Sequence, residues 1–441
     1  MSASLSPARE AYCAIDFGTS NSAIAIAAPG GGSRLVELEE GQPTMPTAVF
    51  YFAEHEPLLP GAEPPRAFGR AAIAAYVDGY DGRLMRSMKS LLGSSLIEQS
   101  TDVGGGHAVR YLDVVTGYLR HLRHTAELAL GAAIPRALLG RPVFFVDDDP
   151  ARDAQAQQAL AAAAHAAGLR DVVFQYEPLA AAFDYERHAT HEQLVLVADI
   201  GGGTSDFSLV RVGPERRERL ERRDDVLGHH GVHVAGTDFD RRIELASILG
   251  ELGYGALGPA RPDGPPREVP SGVYFDLATW HLINTVYQPA RVAELKRMAG
   301  FYAEPRHHRR LMRTVSERLG HELAARAETA KIAVAQGERT TIDLSMVEAG
   351  LGAALDEGQA VAAIDADVGR IVDAALETVR QAGIAPQAVD ALYFTGGSTG
   401  LRLLTDRLAA AFPQAAAMRG ERLSSVAAGL GLDAQRRFAL A

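Results

Sequence analysis

The chain has 441 residues, 47% hydrophobic and 22% charged, so two or three compact units of a soluble globular protein are expected. Its net charge of −11 argues against a general nucleic-acid or membrane-surface role, which favours a basic face. A single cysteine, Cys13, excludes intrachain disulfides and Cys-based zinc sites, and no signal-length or bilayer-length apolar run occurs, so a cytoplasmic protein is expected.

In chain order, an apolar strand ending in Asp16 runs into the turn Gly18-Thr19-Ser20-Asn21 and then a second apolar strand to Ile26. Another strand is predicted from Thr44 to Phe52, a Pro/Glu/Gly loop over 53–66, and a helix from Phe68 to Gly79. Residues 85–93 read as a helical stretch carrying Lys89, and Gly104 to Gly106 as a turn. The apolar spacing of Leu112, Val115, Leu119, Leu122, Ala126 and Ala129 predicts a helix from Tyr111 to Leu130. A short buried strand is expected over 141–146. Asp147 to Asp149 before Pro150 invite a metal reading, but an N-cap opening a helix to Ala167 explains them more simply. Val172 to Phe174 is a strand, and Glu177 opens the next helix.

The turn chemistry of residues 14–26 then returns. Val197 to Ile200 forms a strand through Asp199, Gly201-Gly202-Gly203-Thr204 a turn, and Ser205 to Val210, with Asp206, a second strand. The Arg/Glu run from Pro214 to Asp225 reads as a solvated hairpin tip. Histidines 229, 230, 233, 307 and 308 lack a convincing ligand spacing. A loop is expected over 255–270, and helices over 273–298, 310–336 and 359–382, the first holding the only tryptophan, Trp280. Trp280 reads as a core or interface residue rather than a ligand contact. Strand Ala391 to Phe394 leads into Gly396-Gly397-Ser398-Thr399-Gly400 and a helix from Leu401, and a last helix covers Ser424 to Phe438.

Glycine in such turns lets backbone N–H groups approach phosphate oxygens, and Thr and Ser add donors without bulk. A carboxylate at each strand end can hold hydrated Mg2+. Neither turn has the Gly-Lys-Ser/Thr run of a P-loop. One copy could be an ordinary tight hairpin. Two matched copies instead point to two related lobes gripping one phosphate chain. The glycines before the helix at Leu401 add amides and a favourable dipole.

Together these motifs resemble the ATPase domain of the 70-kDa heat-shock chaperones, in particular the short YegD-like branch that consists of that domain only. The resemblance implies an α/β, two-lobed actin-like ATPase, with ribonuclease H-like duplicated domains and smaller inserted subdomains. Lobe I would span 1–194 with an insertion at about 45–112, lobe II 195–420 with one at about 233–358, and a C-terminal helix, 421–441, would return to lobe I. By position, Gly18 to Asn21 and Gly201 to Thr204 match the phosphate loops, and Lys89 the lysine reaching the terminal phosphate. Glu177 matches the carboxylate that orders the attacking water, with Asp199 and Thr204 completing the catalytic set. Asp16, Asp199 and Asp206 resemble acids around Mg2+ and K+. Residues 235–240 match a Gly-Gly-x-Asp-Phe-Asp signature. Glu328 and Lys331 match residues that bind ribose and adenine, and Gly396, Gly397 and Ser398 the adenosine loop.

Three departures qualify the likeness. Ile332 and Gly400 stand where the family sandwiches adenine between arginines, Ser424 replaces an acid, and an insertion covers roughly 252–312. The implied function is a chaperone-like ATPase without a peptide-binding half, with ATP or ADP and Mg2+ as ligands and a protein partner or co-chaperone. A nucleotide-dependent binding switch with little hydrolysis is the alternative. A small-molecule kinase of the same superfamily fits less well, because it needs a catalytic Asp for a substrate hydroxyl.

Overall fold

A computed structural model describes residues 10–28, 32–54, 63–146, 149–262, 264–335, 339–420 and 424–439. Predictions at Asp147, Asp148, Gln336, residues 55–62 and the start of the last segment at 421–423 lie outside these.

Two five-strand paths repeat one plan. In the first, the hairpin Tyr12–Phe17 and Asn21–Ala27 is extended on one side by Ser33–Leu35, antiparallel, and on the other by Arg136–Arg141 and Asp171–Tyr176, both parallel. In the second, the hairpin Gln193–Ile200 and Ser205–Val212 is extended by Val226–Val232, antiparallel, and by Ala391–Thr395 and Ala416–Arg419, parallel. Order and polarity coincide strand for strand, so the fold is a duplicated, two-lobed actin-like α/β architecture. The strands beside each hairpin are near-continuous apolar runs, as parallel strands buried on both faces must be.

Helices Glu177–Glu186 and Ser425–Ala439 lie between the sheets and share a core with Ala14, Leu138, Val197 and Tyr393, drawn from both. They cross at Gly429, where a Cβ would come within 1.9 Å of the Ala180 carbonyl oxygen, so only glycine admits the approach. A smaller sheet of Arg66–Phe68, Ala48–Phe52 and Gly82–Arg86, backed by helix Gly69–Val77, is inserted in lobe I. Helices Gly236–Ile243, Pro305–Ser316 and Gly320–Ala335 and the hairpin Thr340–Asp343 to Gly352–Leu355 build out lobe II. No described helix is long and apolar enough to cross a membrane.

Several expectations need correction. The run 44–52 is two strands in different sheets, Thr44–Pro46 and Ala48–Phe52, parted at Thr47, and Arg66 already belongs to a strand. The strand predicted at 141–146 lies earlier, at Arg136–Arg141. Pro142 has no N–H to extend the ladder, and 142–146 instead line the interlobe cleft. The helix predicted over 273–298 is three short ones, Gly272–Leu277, Ile283–Val286 and Pro289–Arg297. The one predicted from 310 breaks at Arg318, whose φ is 54°. Lys89 is on a 3-10 turn, Met88–Leu91, entered through Ser87 at φ 54°.

The Arg/Glu run is exposed along most of its length, as expected, but two of its side chains, Arg222 and Asp225, are buried and anchor it. The Arg222 side chain is 0% exposed and ion-paired to Glu186 and Asp225. Asp149 caps the helix Pro150–Ala166 as predicted, accepting the Arg152 amide at 3.1 Å.

Candidate functional site

Strand ends and tight turns deliver the candidate groups to one cleft of about 1140 Å3 between the lobes. Asp16 stands near the end of its strand, and Gly18 to Asn21 turn the chain back. A Cβ at Gly18 would lie 2.2 Å from the Asn21 carbonyl oxygen, which explains the glycine. Thr47 braces this turn, its hydroxyl donating to the Gly18 carbonyl at 2.8 Å and its amide to the Ser20 carbonyl at 2.9 Å.

The second turn is braced from its own lobe. The Thr237 amide and hydroxyl donate to the Gly202 carbonyl at 2.8 and 2.7 Å, and Ser398 Oγ donates to the Gly201 carbonyl at 2.7 Å. With carbonyls tied back, such a turn can present amides to an anion. The two turns face each other, because a Cβ on Gly202 would lie only 3.1 Å from Ser20 Oγ.

Between the turns Lys89 Nζ is 2.5 Å from Glu177 Oε1, with side chains 10% and 15% exposed. Their near-burial as a pair is not what a solvent-facing lysine would show, and Glu177 at the same time opens the helix Glu177–Glu186 as expected. Asp199 lies directly across the hairpin from Asp206. Burial pushes the Asp16 carboxyl well up, helped by Glu177 and Asp199 and opposed by Lys89. Burial also raises Asp199 to about 7, with Asp206 and Glu177 adding to it. Burial pulls the Lys89 ammonium down, but Glu177 and Asp16 outweigh it and hold it above its ordinary value.

Four carboxylates therefore gather about one ammonium. Among the described residues no three His, Cys, Asp or Glu side chains converge to ligate a bare ion. Excess buried negative charge without a close ligand cage fits a cation that keeps its waters, as Mg2+ does.

At the other end of the cleft Lys331 Nζ lies 2.6 Å from Asp240 Oδ1, a contact of charge that is off the direction of a hydrogen bond. Burial raises Asp240 to about 6 against the pull of Lys331, and Glu328 adds to the rise. Glu328, Gly396, Gly397 and Ser398 line this end, with Ile332 (49% exposed), Gly400 and Leu401 beside them. A Cβ at Gly396, where φ is 86°, would collide with the Ile200 carbonyl and Asp199. Ser424 is buried, and Ser425 Oγ is 2.5 Å from Thr395 Oγ1.

Every candidate residue, from Asp16 through Gly18, Thr19, Ser20, Asn21, Lys89, Glu177, Asp199, Gly201 to Thr204 and Asp206 to Glu328, Lys331 and Ser398, lines this one cleft. Asp240 and Thr237 were not singled out from the sequence, although both fall within the 235–240 signature. Phe144 and His229, whose rings lie 6.0 Å apart, and His233 also line it, and nothing in their local sequence marks them. The histidines form no metal cluster among the described residues.

Two facing glycine turns on duplicated lobes, with buried carboxylates between them, make a site suited to a phosphate chain and a hydrated cation. The Hsp70 protein family model matches residues 85–246. The chain is 28% identical over 239 residues to a chaperone protein dnaK of Gracilaria tenuistipitata var. liui, covering 52% of this chain and 36% of that one. It is 29% identical over 315 residues to an HscA homolog of Pseudomonas fluorescens, covering 64% and 47%. It is 30% identical over 236 residues to a chaperone protein DnaK of Deinococcus deserti, covering 52% and 35%. Over these segments the chain is similar to 70-kDa heat-shock proteins. It aligns with about a third to a half of the length of these relatives.

Proposed function

We propose that this chain binds ATP across the two glycine turns and hydrolyses it slowly to ADP and phosphate, as the nucleotide engine of a chaperone-like protein acting in the cytoplasm. The observation that carries the reading is the Lys89–Glu177 pair held between the two turns, where a terminal phosphate would lie. Lobe boundaries near residues 195 and 420, insertions at about 45–112 and 233–358, and a terminal helix over 421–441 belong to the same proposal.

Catalysis here is positioning and charge stabilisation. Thr19, Thr204 and Lys89 donate to the β- and γ-phosphates. Glu177 and Asp199 accept from the attacking water and aim it. Asp16, Asp199 and Asp206 would hold Mg2+ through its waters, with K+ beside them. Bound Mg2+ supplies charge neutralisation across the phosphates. Glu328 and Lys331 hold the ribose side, with Gly396 to Ser398 beneath the adenosine. Closure of the lobes excludes solvent, and a protein partner reads the closed shape.

Steady-state phosphate release without any acceptor tests this. Lys89→Ala should cut turnover by about 100-fold or more, the scale of losing one preorganised donor. Turnover equal to wild type refutes hydrolysis by this site. A second reading, a nucleotide-dependent switch with little turnover, is favoured by the aliphatic Ile332 and by Gly400 at the base end. It predicts ATP binding with no phosphate release in wild type.

A further inference from the structure

The two inserted subdomains touch through an aromatic stack over the mouth of the cleft. Tyr76, on helix Gly69–Val77, and Arg86, on strand Gly82–Arg86, come from lobe I. Trp280 and His321 come from lobe II. The Arg86 guanidinium is 4.5 Å from the Trp280 ring centroid, and the Tyr76 and Trp280 rings are 5.0 Å apart at 30°. His321 lies 5.0 Å from Trp280 and meets Tyr76 nearly edge-on at 5.4 Å. The Tyr76 hydroxyl also interacts with the Asn284 side chain of lobe II, and the Arg318 guanidinium of lobe II lies beside Gly79 of lobe I, 3.2 Å from where a Cβ there would stand. Arg86 also lines the cleft itself, so the stack adjoins the cavity that holds the candidate site.

We propose that this stack is a pH-sensitive clasp, closed by Tyr76 and Arg86 against Trp280 and released when His321 takes up a proton. His321 Nε2 lies 3.2 Å from Asn284 Oδ1, which assigns the ring hydrogen to Nε2. Nδ1 is buried with no hydrogen-bond partner. A proton added there would create a buried N–H without an acceptor, beside the Arg86 cation that already rests on Trp280.

The groups facing the ring offer no counter-charge. They are Tyr76, which burial keeps neutral, Arg86, Arg318 beyond Tyr287, and Glu244 behind Tyr287, whose carboxyl burial raises well above its ordinary value and so holds uncharged. On its own helix Glu322 is engaged with Arg326. Burial alone lowers His321 to about 4, and parting the lobes returns its Tyr76 face to water. A free imidazole titrates near 6.5, so moving from pH 7.5 to pH 5.5 shifts the equilibrium toward the open form by about tenfold.

Trp280 is the only tryptophan, so its fluorescence reports the clasp directly. Acrylamide quenching of nucleotide-free protein should rise from pH 7.5 to pH 5.5, because a tenfold shift toward the open form exposes the ring in more of the molecules. His321→Phe, which keeps a ring but cannot titrate, should flatten the profile. Tyr76→Leu, on the opposite lobe, should give the acid-level quenching already at pH 7.5. A pH-independent wild type, an unchanged profile in His321→Phe, or wild-type quenching in Tyr76→Leu overturns the clasp, and either variant decides alone if the other does not fold.

The link to ligand release rests on the ATP reading. A fluorescent ATP analogue should leave about tenfold faster at pH 5.5 than at pH 7.5 in wild type and at one rate in His321→Phe. Failure of the analogue to bind at all refutes the ATP reading, while the quenching profile still decides the clasp.

Discussion

Arg222→Ala should be among the most damaging single changes outside the cleft. Its guanidinium donates to Glu186 Oε2 at 2.6 Å, Glu186 Oε1 at 2.9 Å, Asp225 Oδ2 at 2.6 Å and the Arg211 carbonyl at 3.1 Å. The Glu186 and Asp225 side chains are 1% and 4% exposed. Glu186 also accepts the Gly213 amide, and Phe183 is flanked by Arg222 and Arg436. The residue thus knots the helix Glu177–Glu186, the 214–225 segment and the last helix. Removing it leaves two buried carboxylates with Arg216 as their remaining close cation, reaching Asp225 only. Breaking a buried pair from one side costs about 3–5 kcal/mol. For a cooperative unit of one lobe's size that is on the order of 10 °C in the midpoint of thermal unfolding. Differential scanning fluorimetry at pH 8 measures it. A midpoint within about 2 °C of wild type at pH 8 would refute the buried-charge argument, because it lies far below the 3–5 kcal/mol scale.

Two further outcomes concern the cleft. Ile332→Arg should tighten binding of a fluorescent ATP analogue by roughly 5- to 30-fold, the 1–2 kcal/mol of a desolvated cation–π contact, and an affinity unchanged within about twofold counts against a base at that end. In EDTA the melting midpoint should fall as pH rises from 6 to 8.5. Burial raises Asp16 and Asp199, the latter to about 7, so stability present below the unfolded carboxyl range is lost as pH climbs through the folded values. Excess MgCl2 should flatten that slope, and a slope of the opposite sign would mean the carboxylates are well compensated without metal.

What could be read from the sequence divides by the range of the forces involved. Both hairpins were legible because an Asp-ended apolar strand and a glycine turn are specified within a dozen residues. The Tyr111–Leu130 helix was legible for the same reason, since its apolar stripe is local. Range explains the failures too. Composition marked 214–225 as surface, yet Arg222 is buried by partners that include Glu186, 36 residues away. The stretch 273–298 read as one helix, but the chain leaves helical geometry between Leu277 and Ile283, where Trp280 is packed against Tyr76 of the other lobe. Val143 to Val146 is apolar enough for a strand, but Pro142 ends the ladder before it and the segment lines the cleft instead.

The site shows the same division. Lys89 and Glu177 are 88 residues apart, and no local pattern tells that they meet. The family motif named them, whereas propensity alone would have left one on a surface and the other capping a helix. Where the chain departs from that motif, at Ile332 and Gly400, resemblance has nothing to carry over and physical contact must decide. An aliphatic side chain can cover a purine face but cannot supply the charge of a guanidinium. The grip on the phosphates is therefore expected to survive changes at the base end. A variant such as Ile332→Arg should alter affinity while leaving the rate of phosphate release at saturating ATP near its wild-type value.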